Sequence, residues 1–212
     1  FEVLDGLGGL PGSTTHYVGE YPAAMLYNQG PHVFYHDRQD DSLRHAYWNG
    51  TTWAFETLDG TGSFRPSHTS DDVGRHNAAV LYAARPHVFY RNDTAGSLRH
   101  AYWNGVAWAF ETLDGAGSVR PGHTVNDVGE YTAANLYGTK PNAYYRDADA
   151  GTLRRAAYNG TAWVFEILDG PGGVPGSTTN RVGSHNAALV VGATPHVFHY
   201  DEDAHSLRHA WF

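Results

Sequence analysis

Apolar and polar positions alternate along this chain in short runs, and no stretch of helical length carries apolar residues at i, i+3 and i+4. The alternation itself repeats. Ser42-Leu-Arg-His-Ala-Tyr-Trp-Asn-Gly50 recurs as Ser97 to Gly105, more loosely as Thr152 to Gly160, and again as Ser206 to Phe212. Leu43, Leu98, Leu153 and Leu207 mark intervals of 55, 55 and 54 residues. Phe-Glu-x-Leu-Asp-Gly begins at Phe1, Phe55, Phe110 and Phe165; Val-Gly recurs at Val18, Val73, Val128 and Val182; a Pro-His-Val-Phe type block stands at Pro31, Pro86, Pro141 and Pro195. Four copies of one unit, at about 1–54, 55–109, 110–164 and 165–212, account for the chain as a single domain without a linker.

Each copy predicts four short strands. In the second they fall near Asn77–Ala83, His87–Arg91, Leu98–Trp103 and Ala107–Leu113. Asn104-Gly105 reads as a two-residue hairpin turn between the last two. Repeated four-stranded antiparallel units are the pattern of a β-propeller. The expected fold is therefore all-β and four-bladed. Phe1-Glu2 starts in the phase of a fourth strand and Trp211-Phe212 stops in a third, so the N-terminal strand is expected to complete the C-terminal blade and close the ring.

Composition narrows the chemistry. The chain has no cysteine, which removes disulfides, thiolate metal sites and a cysteine nucleophile. A net charge of −8 makes nucleic acid a poor partner. No apolar run approaches the roughly 20 residues of a membrane helix, so no membrane insertion is expected. The start does not read as an uncleaved signal peptide. Walker, dinucleotide, Gly-x-Ser-x-Gly and His-Glu-x-x-His motifs are absent from the sequence, and no catalytic residue, metal or cofactor is expected.

With Asn49-Gly50 as the turn, Arg44, Trp48, Trp53 and Phe55 share one face of the hairpin. On the other face His45 lies diagonal to Glu56, and His100 to Glu111. The third copy has Arg155 with Glu166, and His209 of the last copy is expected opposite Glu2. A cation always faces a glutamate, and one of the cations is arginine, so the pair reads as a structural acid–base contact rather than a metal site. The Arg/aromatic face is the carbohydrate-binding candidate: Arg44, Trp48 and Trp53; Arg99, Trp103 and Trp108; Arg154, Tyr158 and Trp163. Aromatic rings beside polar groups hold sugars by stacking and directed hydrogen bonds, and the same aromatics also suit blade packing. A second candidate group lies at a mouth or channel: Tyr21, His76, Tyr131 and His185 on the innermost strands, with Arg65, His68, Arg120 and His123 in the loops. Turn chemistry explains the loop residues as well. Acidic turns such as Asp37–Asp41 lack the spacing of a calcium loop.

The pattern Leu-Arg-His-Ala-Tyr-Trp-Asn-Gly-x-x-Trp-x-Phe-Glu resembles repeats of the PLL-like bacterial β-propeller lectins and the broader tectonin/tachylectin-like group. The resemblance spans all four copies. It implies a multivalent lectin for glycans or simple sugars, sites between blades at the Trp48/Trp103, Trp53/Trp108/Trp163 and Arg44/Arg99/Arg154 positions, and a secreted or cell-surface location, with a cytoplasmic one left open. Such lectins carry more blades, typically seven. The alternatives are a lyase-like enzyme or other carbon–oxygen chemistry with Tyr, His and Arg at one mouth, and a scaffold propeller, natural or engineered. Oligomeric state is not legible.

Overall fold

The structure, a computed structural model, describes residues 1–212. It contains strands and no helix, hence no helix long and apolar enough to cross a membrane. The first sheet joins β1 (Val18–Tyr27), β2 (Gly30–Asp37), β3 (Ser42–Trp48) and β4 (Trp53–Asp59) in chain order. The second joins β5 (Val73–Tyr82), β6 (Arg85–Asn92), β7 (Ser97–Trp103) and β8 (Trp108–Gly115). The third joins β9 (Val128–Tyr137), β10 (Lys140–Asp147), β11 (Thr152–Tyr158) and β12 (Trp163–Asp169). The fourth holds only β13 (Val182–Val191), β14 (Thr194–Asp201) and β15 (Ser206–Trp211). The expectation of a closing strand at the N-terminus is corrected here. Residues 1–4 form no strand and Phe1 is fully exposed.

Two further details differ from the sequence reading. The innermost strands start earlier than alternation suggests: β5 begins at Val73, not near Asn77. A bulge between Arg75 and Ala78, with His76 at φ 53°, breaks the period-2 pattern there. The hairpin turn is also longer. Trp48 pairs with Trp53, Ala46 with Phe55 and His45 with Glu56. Asn49 N–H donates to Thr52 O at 3.1 Å, and the Asn49 side-chain oxygen accepts from Thr51 and Thr52 N–H at 3.0 Å each. This side-chain cap closes a four-residue turn in place of the two-residue one. The shift is two residues, so every side chain keeps its face.

The chain forms two compact units, Phe1–Thr94 with His100–Glu111, and Ala95–Arg99 with Thr112–Phe212. The first is built on Phe34, Leu43, Leu58, Val73, Val88, Tyr90, Ala101 and Trp108. The second is built on Tyr144, Leu153, Leu168, Val182 and Val197. The Val-Gly marker has a packing cause. A Cβ on Gly74 would meet Leu43 Cα at 2.7 Å, and one on Gly183 would meet Leu153 Cα at 3.0 Å. Each glycine also has a positive φ, 90° and 92°. The inner strand of one sheet can therefore cross the third strand of its neighbour only where there is no side chain.

The aspartate of Phe-Glu-x-Leu-Asp-Gly anchors these junctions. In the first unit Asp5 accepts from Thr14 N–H at 2.6 Å, Tyr35 O–H at 2.6 Å and Arg44 Nε at 2.9 Å. In the second, Asp114 takes Thr124 N–H at 2.6 Å, Tyr145 O–H at 2.6 Å and Arg154 Nε at 2.9 Å. Asp169 takes Thr178 N–H at 2.8 Å and Arg208 Nε at 2.6 Å. Burial opposes ionisation of Asp169, but bonds from His199, Arg208 and two backbone N–H groups outweigh it and hold the carboxyl well below its usual range. Burial, reinforced by the neighbouring aspartate, raises the Tyr35 and Tyr145 phenols.

Candidate functional site

These junctions account for the repeated arginines. Arg44 and Arg154 are buried with their guanidinium groups held by Asp5 and Asp114, and Arg99 is buried with a bond to Thr112. The expected Arg/Trp partnership at a sugar does not form around Arg44 or Arg154. The aromatic pairs do form. Trp48 and Trp53 meet edge to face at 6.1 Å, as do Trp103 and Trp108, and Tyr158 meets Trp163 at 5.4 Å.

In the first unit, a cleft of about 660 Å³ opens at the end of the sheets marked by the β1–β2 and β3–β4 turns. One wall comes from the first sheet: His32, His45, Tyr47 and Glu56, with Arg65 reaching in from the β4–β5 connection. The other wall carries Trp103 and Trp108. Trp48 stands at the rim and is 37% exposed.

The polar wall is one connected network. Glu56 accepts from His45 Nδ1 at 2.8 Å and from Arg65 at 2.5 Å. His45 Nε2 lies 2.9 Å from His32 Nδ1. Burial would raise the Glu56 carboxyl. The His45 bond, the Arg65 charge and a bond from the Trp108 indole outweigh it and leave the carboxyl below its ordinary value. Burial lowers His45 despite the attraction of Glu56. Burial and the neighbouring His45 lower His32 to about 4. Burial outweighs the pull of the ionised Glu56 and favours the neutral His45 imidazole at neutral pH. An ionised Glu56 requires the His45 proton on Nδ1, so His45 Nε2 accepts and His32 Nδ1 donates. The sheet face stacks these rings: Phe34 on His45 at 4.5 Å and Tyr47 on His45 at 4.9 Å. Trp108 meets His45 edge-on at 5.6 Å.

The sequence reading placed the His/Glu pair as structural. The pair forms, and it also floors the first-unit cleft; the acid–base repeat was the available signal for it. Within the first unit His100 repeats the contact to Glu111 at 2.9 Å and to His87 at 2.9 Å.

The second unit has a smaller cleft of about 270 Å³. There Arg155 donates to Glu166 at 2.6 Å and to Asn142 at 2.8 Å, and its guanidinium lies 4.3 Å from the Phe212 ring centre.

The other candidates stay apart from these clefts. His68 and His123 fold onto their own turns, each with Nδ1 2.6 Å from the carbonyl of Arg65 or Arg120. Tyr21 packs on His76 at 4.6 Å in the first unit, and Tyr131 on His185 at 4.5 Å in the second. All four sit at inner-strand bulges with φ of 51–55°.

No protein-family model and no curated protein matches this sequence. Solved structures do. A mutant Aleuria aurantia lectin in complex with α-methyl-L-fucoside aligns with a TM-score of 0.56 at 15% identity, over 96% of this chain and 62% of that one. Another structure of Aleuria aurantia lectin, described as a six-bladed β-propeller, aligns with a TM-score of 0.50 at 17% identity, over 90% and 57%. The Phanerochaete chrysosporium exo-β-1,3-galactanase with β-1,3-galactotriose aligns with a TM-score of 0.59 at 9% identity, over 95% and 46%. The shared fold is the β-propeller. This chain spans less than two thirds of each of these proteins, and at such identities the likeness is one of fold.

Proposed function

We propose that this protein is a carbohydrate-binding protein of the lectin type, with a sugar seated in the first-unit cleft. The observation that carries the reading is the pairing of walls: an ionised Glu56 held by His45 and Arg65 faces the indoles of Trp103 and Trp108. An ionised carboxylate accepts hydroxyl hydrogen bonds strongly, a guanidinium donates them, and indole faces cover the apolar face of a pyranose. The volume suits a small ligand. The fucose- and galactan-related structural neighbours agree with glycan partners.

The enzyme alternative is less well supported by this cleft. Glycoside hydrolysis ordinarily needs two carboxylates, one of them kept protonated as an acid. Here a single carboxylate lines the cleft, and its pKa is lowered. The same proposal extends to the four repeats as blades of one propeller of the PLL-like kind, to multivalent engagement of glycan surfaces through repeated sites, and to a secreted or cell-surface location.

A glycan array followed by calorimetry tests the reading. Glu56→Gln and Trp103→Ala should each weaken sugar binding about tenfold or more. Absence of any glycan ligand, or affinity untouched by both changes, would sink it.

A further inference from the structure

At the far end of the first sheet, away from the cleft, three potential ligands converge. His36 of β2 is fully buried. Its Nδ1 lies 3.0 Å from Val73 O, a carbonyl that can only accept, so Nδ1 carries a proton. In a neutral ring the Nε2 lone pair is then free. Nε2 has no hydrogen-bond partner, and it is 3.8 Å from Asp72 Oδ1. Asp41, in the β2–β3 turn, brings a second carboxylate, and the three ligand atoms lie within 4.8 Å of one another.

A lone pair directed at two carboxylates is electrostatically unfavourable unless a second ring proton or a bound cation lies between them. The same position of the third repeat is surrounded differently, with Gly151 and Arg181 where the first repeat has Asp41 and Asp72. Arg146, opposite Leu153 as His36 is opposite Leu43, donates to Glu130 at 3.0 Å and to Glu202 at 2.9 Å. There the chain supplies a permanent cation. In the first repeat it supplies a shorter imidazole.

We propose that His36 Nε2, Asp72 and Asp41 bind a divalent first-row metal ion, of which zinc is the practical probe. One imidazole and two carboxylates suit zinc and its neighbours better than calcium, which prefers an all-oxygen shell. The outer contacts are those of a metal site. The His36–Val73 carbonyl bond fixes the tautomer. Arg75 grips Asp72 at 2.8 and 3.3 Å and orients it. Bonds of about 2.1 Å to zinc place tetrahedral ligand atoms roughly 3.4 Å apart. The exposed Asp41 side chain is the one that closes the remaining distance. Two carboxylates against one arginine leave the pocket net negative.

Calorimetric titration of the full chain with zinc chloride, and visible absorption with cobalt(II), test the site. The expected result is one saturable zinc site with N/O-type cobalt bands, weakened about tenfold or more by Asp41→Asn and by His36→Gln. Asp41 is exposed, so its variant should fold whatever the buried His36 variant does. His16→Gln, which disrupts the neighbouring His16/Asp37/Asp40 group, should leave the site intact. No saturable zinc binding, affinity unchanged in Asp41→Asn, or complete loss in His16→Gln would each overturn the proposal.

Discussion

The clefts of the two units are built on one plan and differ in whether they are open. In both, a glutamate on the fourth strand faces a basic side chain on the third, Glu56 with His45 and Glu166 with Arg155. In both, a large aromatic residue closes the far side, Trp103 in one and Phe212 in the other. The basic side chain differs in length. Arg155 reaches past Glu166 to Asn142 and lies over Phe212, with Tyr137 5.7 Å from its guanidinium. His45 stops at Glu56 and turns its other nitrogen to His32. The arginine acts as a built-in occupant, and the volume falls from about 660 to about 270 Å³. The first cleft also carries a second indole, Trp108, whereas Phe212 closes the far side of the second. Two differences thus separate the clefts, the arginine that fills one and the second indole that lines the other.

The largest effect is expected from converting the open cleft into the filled one. His45→Arg should lower sugar affinity about a hundredfold, through lost space and lost hydroxyl partners, while the protein stays folded. Unchanged calorimetric affinity would end the comparison.

Acid should separate the units next. Burial lowers His32 to about 4 and His87 to about 3, whereas the aligned positions of the second unit are Asn142, which does not titrate, and the half-buried His196. The unfolded chain takes up protons at these histidines near pH 6.5, and the native chain does not until well below that. Stability from these two groups is therefore full above pH 6.5 and declines as pH falls toward 4. Hydrogen exchange at pH 5 should show β2, β6 and the outer part of β7 losing protection before β10 and β11. His32→Asn with His87→Asn should flatten the melting temperature between pH 7 and 5; an unflattened profile would assign the acid response elsewhere.

A smaller change is expected from opening the filled cleft. Arg155→His with Phe212→Trp should add a weak sugar site, read as a rise of one in calorimetric stoichiometry. No rise would mean that the second indole, Trp108, and not the arginine, is decisive. The smallest effect belongs to Phe212→Ala, which removes the cation–π contact at a partly exposed site and should cost about 1 kcal/mol of stability in urea unfolding.

The repeat made the sheets legible before any coordinates. Leu43 and its equivalents, the Asn-Gly turns and the alternating aromatics place fifteen strands within a few residues of where they form. The misplacements share a cause. Tyr21, His76, Tyr131 and His185 sit at bulges, and Asn49 caps a four-residue turn; these are backbone events that alternation along one strand does not report. At the cleft, Trp103 and Trp108 come from the Arg/aromatic candidate face, Arg65 comes from the mouth group, and His45 with Glu56 is the pair expected as a structural acid–base contact.

What the sequence determined by itself is the local plan: strand, face and repeat length follow from period-2 patterning and turn chemistry, which act over a few residues. Which of two similar basic residues does what was decided only by tertiary structure. Arg44 is held on Asp5 from 39 residues away, and Glu56 meets Trp108 only when two sheets pack face to face. Both arginines and histidines repeat at the same interval, so sequence cannot rank them. Burial and distance can, because a charged group is free for a ligand only where the fold has not already paired it.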